Sequence, residues 1–236
     1  MTAEQAQQPL VFIVSGPSGS GKSTLVQKML QVPGTMFSVS CTTRPPRATE
    51  DAGKWYDFIT EEEFDRRVQA GEFLEHARVF GKHQYGTPRR WLEEAQRKGL
   101  DLVLEIDVQG AEQVKKKIPD AVTIFILPPN REELEKRLRS RGLDKEEVIL
   151  RRLDTARREI ENYSKYDYIL VNDQLDQSAD QLKAIVLAER LCREGKEISR
   201  GDSLLLERAQ ACRLEQAREH VQPILASFAP QAAGGR

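Results

Sequence analysis

Leu10-Val11-Phe12-Ile13-Val14, running through Ser15 into Gly16-Pro17-Ser18-Gly19-Ser20-Gly21-Lys22-Ser23, decides the fold. A short, almost purely apolar run predicts a strand of a parallel sheet buried on both faces. Gly16 to Ser23 fits G-x-x-x-x-G-K-[S/T] at every fixed position, and Thr24 to Leu30 can continue as a helix. That order suits a phosphate cradle. Glycines let the backbone curl so that successive N–H groups face phosphate oxygens, and the helix N-terminus adds partial positive charge. Lys22 supplies a full charge near the β- and γ-phosphates, and Ser23 offers a hydroxyl to Mg2+. The motif points to a bound nucleoside triphosphate without separating a kinase from an ATPase or GTPase.

Further apolar runs extend the pattern: Leu102 to Ile106, Val122 to Leu127 and Tyr168 to Val171. Charged helical stretches separate several of them, which predicts an α/β fold, a central parallel sheet flanked by helices. The 236 residues suit one large domain or a domain with an appendage. Hydrophobic residues make up 39% and charged residues 31%, enough apolar material for a core and too much for a disordered chain. The 36 basic and 37 acidic residues leave a net charge of −1, so no basic excess points to nucleic acid or an anionic membrane. Cys41, Cys192 and Cys212 are far apart and in no metal-ligand spacing, against a disulfide scaffold or a zinc module. No run approaches the roughly 18 apolar residues of a membrane span, and the polar stretch Met1 to Gln8 does not fit a signal peptide. The expectation is a soluble, cytoplasmic protein.

Residues 38 to 90 change texture, rich in Thr, Arg, Pro, Gly and aromatics, and predict an inserted, partly β subdomain that includes the alternating Trp55 to Ile59. Thr60-Glu61-Glu62-Glu63 predicts a capping box opening a helix through about Ala70, stopped by Gly71. Arg44 and Arg47, with prolines between them, make a stiff loop with two guanidinium forks suited to a phosphate. Asn130 to Tyr163 predicts a helical hairpin broken near Gly142. Beyond residue 173 the pattern is amphipathic. Leu182, Ile185, Val186 and Leu191 form one stripe; Leu204, Leu205, Ala211, Leu214, Ala217 and Val221 form another, ending near Pro223, before a frayed tail from Ala229.

Together with the phosphate loop, Ser38 to Arg47, Glu50, Gly53-Lys54 and Tyr56 closely resemble the guanylate kinase family. So do Gly71 to Glu75, Tyr85-Gly86-Thr87, Ile106 to Gly110, Arg137 to Gly142 and Val171-Asn172-Asp173. The resemblance implies a guanylate kinase-like domain over residues 9–192, with a core of 9–37, 96–129 and 162–192. A GMP-binding subdomain would occupy 38–95 and a helical lid 130–161, leaving 193–236 as a helical extension and tail. It implies transfer of a phosphoryl group from ATP to GMP, with Mg2+, in a monomer or homo-oligomer of nucleotide metabolism.

By motif position, the resemblance assigns Gly16, Pro17, Ser18, Gly19, Ser20, Gly21, Lys22, Ser23 and Thr24 to ATP, with Arg141 and Asn172. Arg44, Arg47 and Tyr56 would hold the GMP phosphate, with Glu50 nearby. Ser40, Glu75 and Thr87 would read guanine, with Tyr85 beside them. Lys22, Arg44, Arg137, Arg141, Arg152 and Asp107 would serve the transfer, and Ser23 and Asp107 would reach Mg2+ directly or through water. The chemistry agrees. Guanine presents N1–H and its 2-amino group as adjacent donors, which an acceptor-only carboxylate such as Glu75 can take together. Adenine has an acceptor at N1 and no 2-amine. Two anionic nucleotides repel, so the transfer also needs Lys22, Mg2+ and arginines from the lid. For about half of Arg137, Arg139, Arg141, Arg151, Arg152, Arg157 and Arg158 a solvated helix face paired with glutamates is expected.

Glu105 and Asp107 share a face at the carboxyl end of a strand, where ligands of open α/β sheets collect. The chain departs from the family pattern at Glu105, often Asp, at Thr49, usually Gly, and in Gly81 to Gly86, one residue longer. A phosphopeptide-binding relative without catalysis would lack the intact Lys22 and Ser23. A P-loop kinase of phosphorylated ribose would not need Ser40, Arg44, Arg47, Tyr56 and Glu75 together.

Overall fold

The computed structural model describes residues 8–46, 53–79, 82–140, 145–195 and 199–229. Arg47, Thr49, Glu50, Gly81, Arg141 and Gly142 therefore lie outside the described residues. The apolar runs form strands as expected. Val11–Ser15 is β1, Asp101–Glu105 is β7, Val122–Leu127 is β8 and Tyr168–Val171 is β9. All six residues of β8 and all five of β1 are buried, which is why these segments carry no polar face. A short strand the sequence reading passed over, Thr35–Phe37 (β2), completes a sheet of order β2-β7-β1-β8-β9. β2 runs parallel to β7, and β8 to β9. The fold is mixed α/β with a parallel central sheet flanked by helices.

The chain forms two compact units, and their boundary falls inside β1, after Ile13. One unit holds the residues up to Ile13 and Leu30–Val122. Its second sheet has the order β4-β3-β6-β5, from Tyr56–Phe58 (β4), Ser40–Thr42 (β3), His83–Pro88 (β6) and Phe73–Val79 (β5). β3 pairs with β4 in parallel and with β6 antiparallel, and β5 pairs antiparallel with β6. Glu61–Gln69 (α2) follows β4, and its N-cap Thr60 accepts the Glu63 N–H at 3.2 Å. The expected box is half made, because the Glu63 carboxylate turns to Arg66 and Arg67 at 2.7 Å each. Gly71, at φ 68°, follows the helix end where glycine was expected. Phe64 of α2 stacks on Phe73 of β5 at 4.7 Å, and together with Cys41 they form a buried cluster beneath the small sheet. Arg90–Lys98 (α3) sets Trp91, whose indole N–H donates to the Val39 carbonyl at 2.8 Å. Val108–Lys117 (α4) lies against β5.

The other unit holds Val14–Met29 and the residues from Thr123 on. Lys22–Met29 (α1) packs on Leu175–Glu194 (α7). The helical hairpin is Arg131–Ser140 (α5) and Glu146–Ile160 (α6). The second C-terminal stripe divides into two helices, Arg200–Ala211 (α8) and Leu214–Ser227 (α9), and Pro223 lies inside α9 without ending it. The break has a physical cause. Cys212 to Leu214 lies antiparallel along the outer side of β9, where the Ile169 N–H donates to the Cys212 carbonyl at 2.7 Å and the Leu214 N–H to the Asp167 carbonyl at 3.1 Å. Backbone groups at a sheet edge need partners, and this segment supplies them. The Arg213 guanidinium lies over the Tyr168 ring at 4.2 Å and reaches Glu189 at 2.8 Å. Ala209, Cys212, Ala217, Val221, Ile224 and Phe228 are buried, so the extension packs on its own unit.

Because Phe64 is wholly buried beneath the small sheet, Phe64→Ala is expected to cost about 3–5 kcal/mol in urea unfolding. A loss below about 1 kcal/mol would show that the stack does not hold that sheet.

Candidate active site

Gly16, Gly19 and Gly21 take φ values of 141°, 94° and 91°, conformations that L side chains rarely adopt. Space enforces the choice as well. A Cβ on Gly16 would fall 2.2 Å from the Ile126 carbonyl oxygen, and one on Gly21 would fall 2.2 Å from Asn172 Nδ2. The loop closes on itself: the Ser20 N–H donates to the Pro17 carbonyl at 3.1 Å. Lys22 Nζ folds back to the Gly16 and Pro17 carbonyls at 2.6 and 3.0 Å. Ser18 is half-buried, while Ser23 and Thr24 are exposed on the first turn of α1. Asn172, expected at the adenine end of ATP, is buried here, and its amide nitrogen donates to the Ser20 carbonyl at 2.7 Å. Arg137 of α5 donates to the Asn172 carbonyl at 2.9 Å. The two side chains thus form a chain of contacts that braces the back of the phosphate loop.

On the hairpin, Arg152 is half-buried on α6. Arg139 pairs with Glu135 and Glu146, Arg157 with Asp154 and Glu161, and Arg158 with Asp154. These pairs are the solvated helix face expected for part of the set.

In the first unit, register produces a row. Ser40 pairs with Tyr56 across β3 and β4, and Glu75 with Thr87 across β5 and β6. The β3–β6 register, Cys41 with Gly86, sets Ser40 beside Thr87. Tyr56, Ser40, Thr87 and Glu75 therefore lie side by side across the small sheet. Ser40 Oγ lies 3.3 Å from Thr87 Oγ1, and Thr87 Oγ1 donates to Glu75 Oε1 at 2.7 Å. Tyr85, two residues before Thr87 and so on the same face, meets the Tyr56 ring edge-on at 5.8 Å. Arg44 Nε donates to the Tyr85 hydroxyl at 3.1 Å, and its guanidinium sits 5.6 Å from the Tyr56 ring centre. Sequence positions from 40 to 87 thus converge on one sheet face.

Glu75 is 3% exposed. Its carboxyl is pushed up to about 7, chiefly by burial and in part by the Asp107 charge, against the pull of the Thr87 hydroxyl and the Lys117 charge. Asp107 caps α4, its Oδ1 accepting the Gly110 N–H at 2.8 Å and its Oδ2 the Gln109 amide at 3.3 Å. Glu105 ends β7 two residues earlier, half-buried. Gln113 and Lys117 escaped the sequence reading. Gln113 Nε2 donates to the His76 carbonyl at 2.8 Å while its Oε1 accepts the His76 N–H at 3.3 Å. Lys117 Nζ donates to the Leu74 carbonyl. Their common spacing from Gly110 on one helix face is the only sequence signal that they act together.

Strand, glycine loop and helix N-terminus, placed in a parallel α/β sheet, define the class of P-loop nucleotide-phosphate binders. The sequence profile described as "Guanylate kinase" matches residues 8–189. A guanylate kinase of Koribacter versatilis strain Ellin345 is 54% identical over 222 residues, covering 92% of this chain and 95% of that protein. One from Escherichia coli strain K12 is 46% identical over 201 residues, covering 84% and 96% respectively. The crystal structure of guanylate kinase from Anaplasma phagocytophilum superposes with a TM-score of 0.67 at 37% identity, over 79% of this chain and 90% of that one. The chain belongs to the guanylate kinase family, and it is an enzyme, a kinase.

The raised Glu75 carboxyl has a stability consequence. Its folded value lies above its ordinary one, so the native state holds the extra proton between the two. The stabilisation is therefore complete below about 4.5 and lost as pH rises through about 7. Removing the charge should matter most at high pH. Relative to wild type, Glu75→Gln should gain up to about 3 kcal/mol in urea unfolding between about pH 5 and about pH 8. A difference independent of pH would show that Glu75 titrates as an ordinary carboxylate.

Proposed function

We propose that the enzyme transfers the γ-phosphoryl group of ATP to GMP, and to dGMP, giving ADP and GDP and returning GMP to the purine nucleotide pool of the cytoplasm. The row Tyr56–Ser40–Thr87–Glu75, buried at Ser40, Thr87 and Glu75 and half-buried at Tyr56, carries this reading. It joins a carboxylate, which only accepts, to hydroxyls that both donate and accept, the complement of guanine's N1–H and 2-amino donors beside its O6 acceptor. Such a site would leave Glu75 poorly paired against adenine, a stronger basis for rejection than apolar fit. Arg44 with Tyr56 and Tyr85, joined by Arg47 and Glu50, would hold the GMP phosphate. The phosphate loop with Lys22 would hold the β- and γ-phosphates of ATP.

In the reaction the bond from the γ-phosphorus to the ADP oxygen breaks, and a bond to a GMP phosphate oxygen forms. That acceptor is already ionised near neutral pH, so no general base is required. Lys22, Arg137, Arg141 and Arg152 would offset the charge that spreads over the transferred group. Asp107 would orient the acceptor end. The donor set suits Mg2+. Ser23 offers an exposed hydroxyl, and among the described residues no group of three or more His, Cys, Asp or Glu forms a protein cage for a metal. Mg2+ bound to nucleotides takes few protein ligands beside phosphate oxygens and water. Ser23, with Asp107 through water, would hold the ion, which when bound neutralises phosphate charge. In this reading 38–95 is the GMP-binding part of a domain spanning 9–192, and 130–161 is its lid.

The test is ADP formation from ATP and Mg2+ with GMP, dGMP, AMP, UMP and ribose phosphates as acceptors. GMP and dGMP should turn over strongly and AMP weakly. Lys22→Met should lower kcat by about 10²–10³, and Glu75→Gln should lower kcat/KM for GMP by about 10². No turnover with GMP from folded protein that binds ATP, or turnover of a ribose phosphate instead, would overturn the reading.

A further inference from the structure

The carboxylate of Glu75 sits next to an irregularity in its own strand. β5 and β6 pair Phe73 with Pro88 and Glu75 with Thr87, so two steps along β5 match one along β6. Leu74 is the extra residue of a β-bulge. A bulge leaves one residue outside the ladder and re-aims the side chains that follow. In an unbulged strand Phe73 and Glu75 would face the same way. Here Phe73 belongs to the buried cluster with Phe64, while Glu75 joins the polar row with Thr87 and Ser40.

One face of α4 holds the irregular stretch on both sides. Lys117 Nζ donates to the carbonyl of Leu74, the bulged residue. Gln113 makes a two-pronged amide contact with the N–H and C=O of His76, the residue after Glu75. Gly110 completes the face at i, i+3 and i+7. A Cβ there would lie 2.5 Å from Glu75 Oε2, so its missing side chain is the space the carboxylate occupies. The backbone on either side of Glu75 is therefore tied to a helix of its own unit, and the carboxylate rests against that helix.

We propose that Gln113 and Lys117 are specificity-positioning residues: by pinning the bulge at Leu74 they aim the Glu75 carboxylate at the edge of the acceptor base that carries the adjacent donors. The proposal rests on the reading that Glu75 recognises guanine. Hydrogen bonding to a donor pair is sensitive to sub-ångström placement, whereas Arg44 lies outside β5, in the segment after β3, and is held by Tyr85 of β6.

The test compares Gln113→Leu, Lys117→Met, their double variant, Lys117→Arg and Glu75→Gln. Calorimetric titration with GMP and with inosine monophosphate, which lacks the 2-amino group, is paired with steady-state kinetics. The double variant should lose roughly tenfold in affinity for GMP but little for inosine monophosphate, narrowing the ratio between them. KM for GMP should rise while kcat and KM for ATP hold, and Lys117→Arg should retain the wild-type ratio. A merely structural role would weaken both ligands equally, and that result overturns the proposal. An unchanged GMP preference in the double variant also overturns it, provided Glu75→Gln loses that preference. If Glu75→Gln keeps the preference too, the underlying reading of Glu75 falls, and the positioning proposal with it. Thermal unfolding of each variant checks that it is folded, and Lys117→Met, altering one exposed side chain, keeps the ratio measurable if the double variant does not fold.

Discussion

A carboxylate removed from water must either take up a proton or meet donors, and Glu75 is held between the two. Thr87 gives one of its oxygens a hydrogen bond, while burial, helped by the nearby Asp107 charge, pushes its carboxyl up to about 7. A buried acceptor with spare capacity is costly in the empty protein and favourable when a ligand arrives with two donors. Much of the first unit can be understood as the means of keeping that group buried and aimed. Four strands in register supply the row, the Phe64–Phe73 stack supports the sheet from below, and α4 fixes the strand that bears the carboxylate.

The phosphate loop obeys a comparable constraint in the second unit. Its glycines take positive φ, backbone conformations that side chains would disfavour. Asn172 and Arg137 restore rigidity from behind, and Lys22 in this structure folds onto the loop carbonyls. A pre-shaped cradle loses less entropy when phosphates bind. In the proposed reaction Lys22 would have to leave the Gly16 and Pro17 carbonyls to reach a phosphate.

The phosphate loop was legible because every contribution to it is local: an apolar run, glycines at fixed spacing, then a helix. The Thr60 cap and the Gly71 stop were legible for the same reason. Glu75 could be singled out by its chemistry and by resemblance, and so could Ser40 and Thr87. Their arrangement in one row with Tyr56 could not, because it depends on pairing between strands tens of residues apart. The bulge at Leu74 and the α4 face that pins it were invisible for the same reason. Pro223 misled the reading of the last helix, since tertiary packing of Val221, Ile224 and Phe228 outweighs one lost backbone donor.

The central claim is that Glu75 is a buried acceptor with a raised pKa, which in the proposed reading meets two donors of the bound base, and carboxyl-carbon NMR titration of selectively labelled protein tests it most directly. The account predicts a midpoint of about 7 for Glu75 in the free enzyme, moving down when GMP is added and staying in place when AMP is added. A Glu75 resonance titrating near the ordinary value of 4.5, unmoved by GMP, would contradict the account.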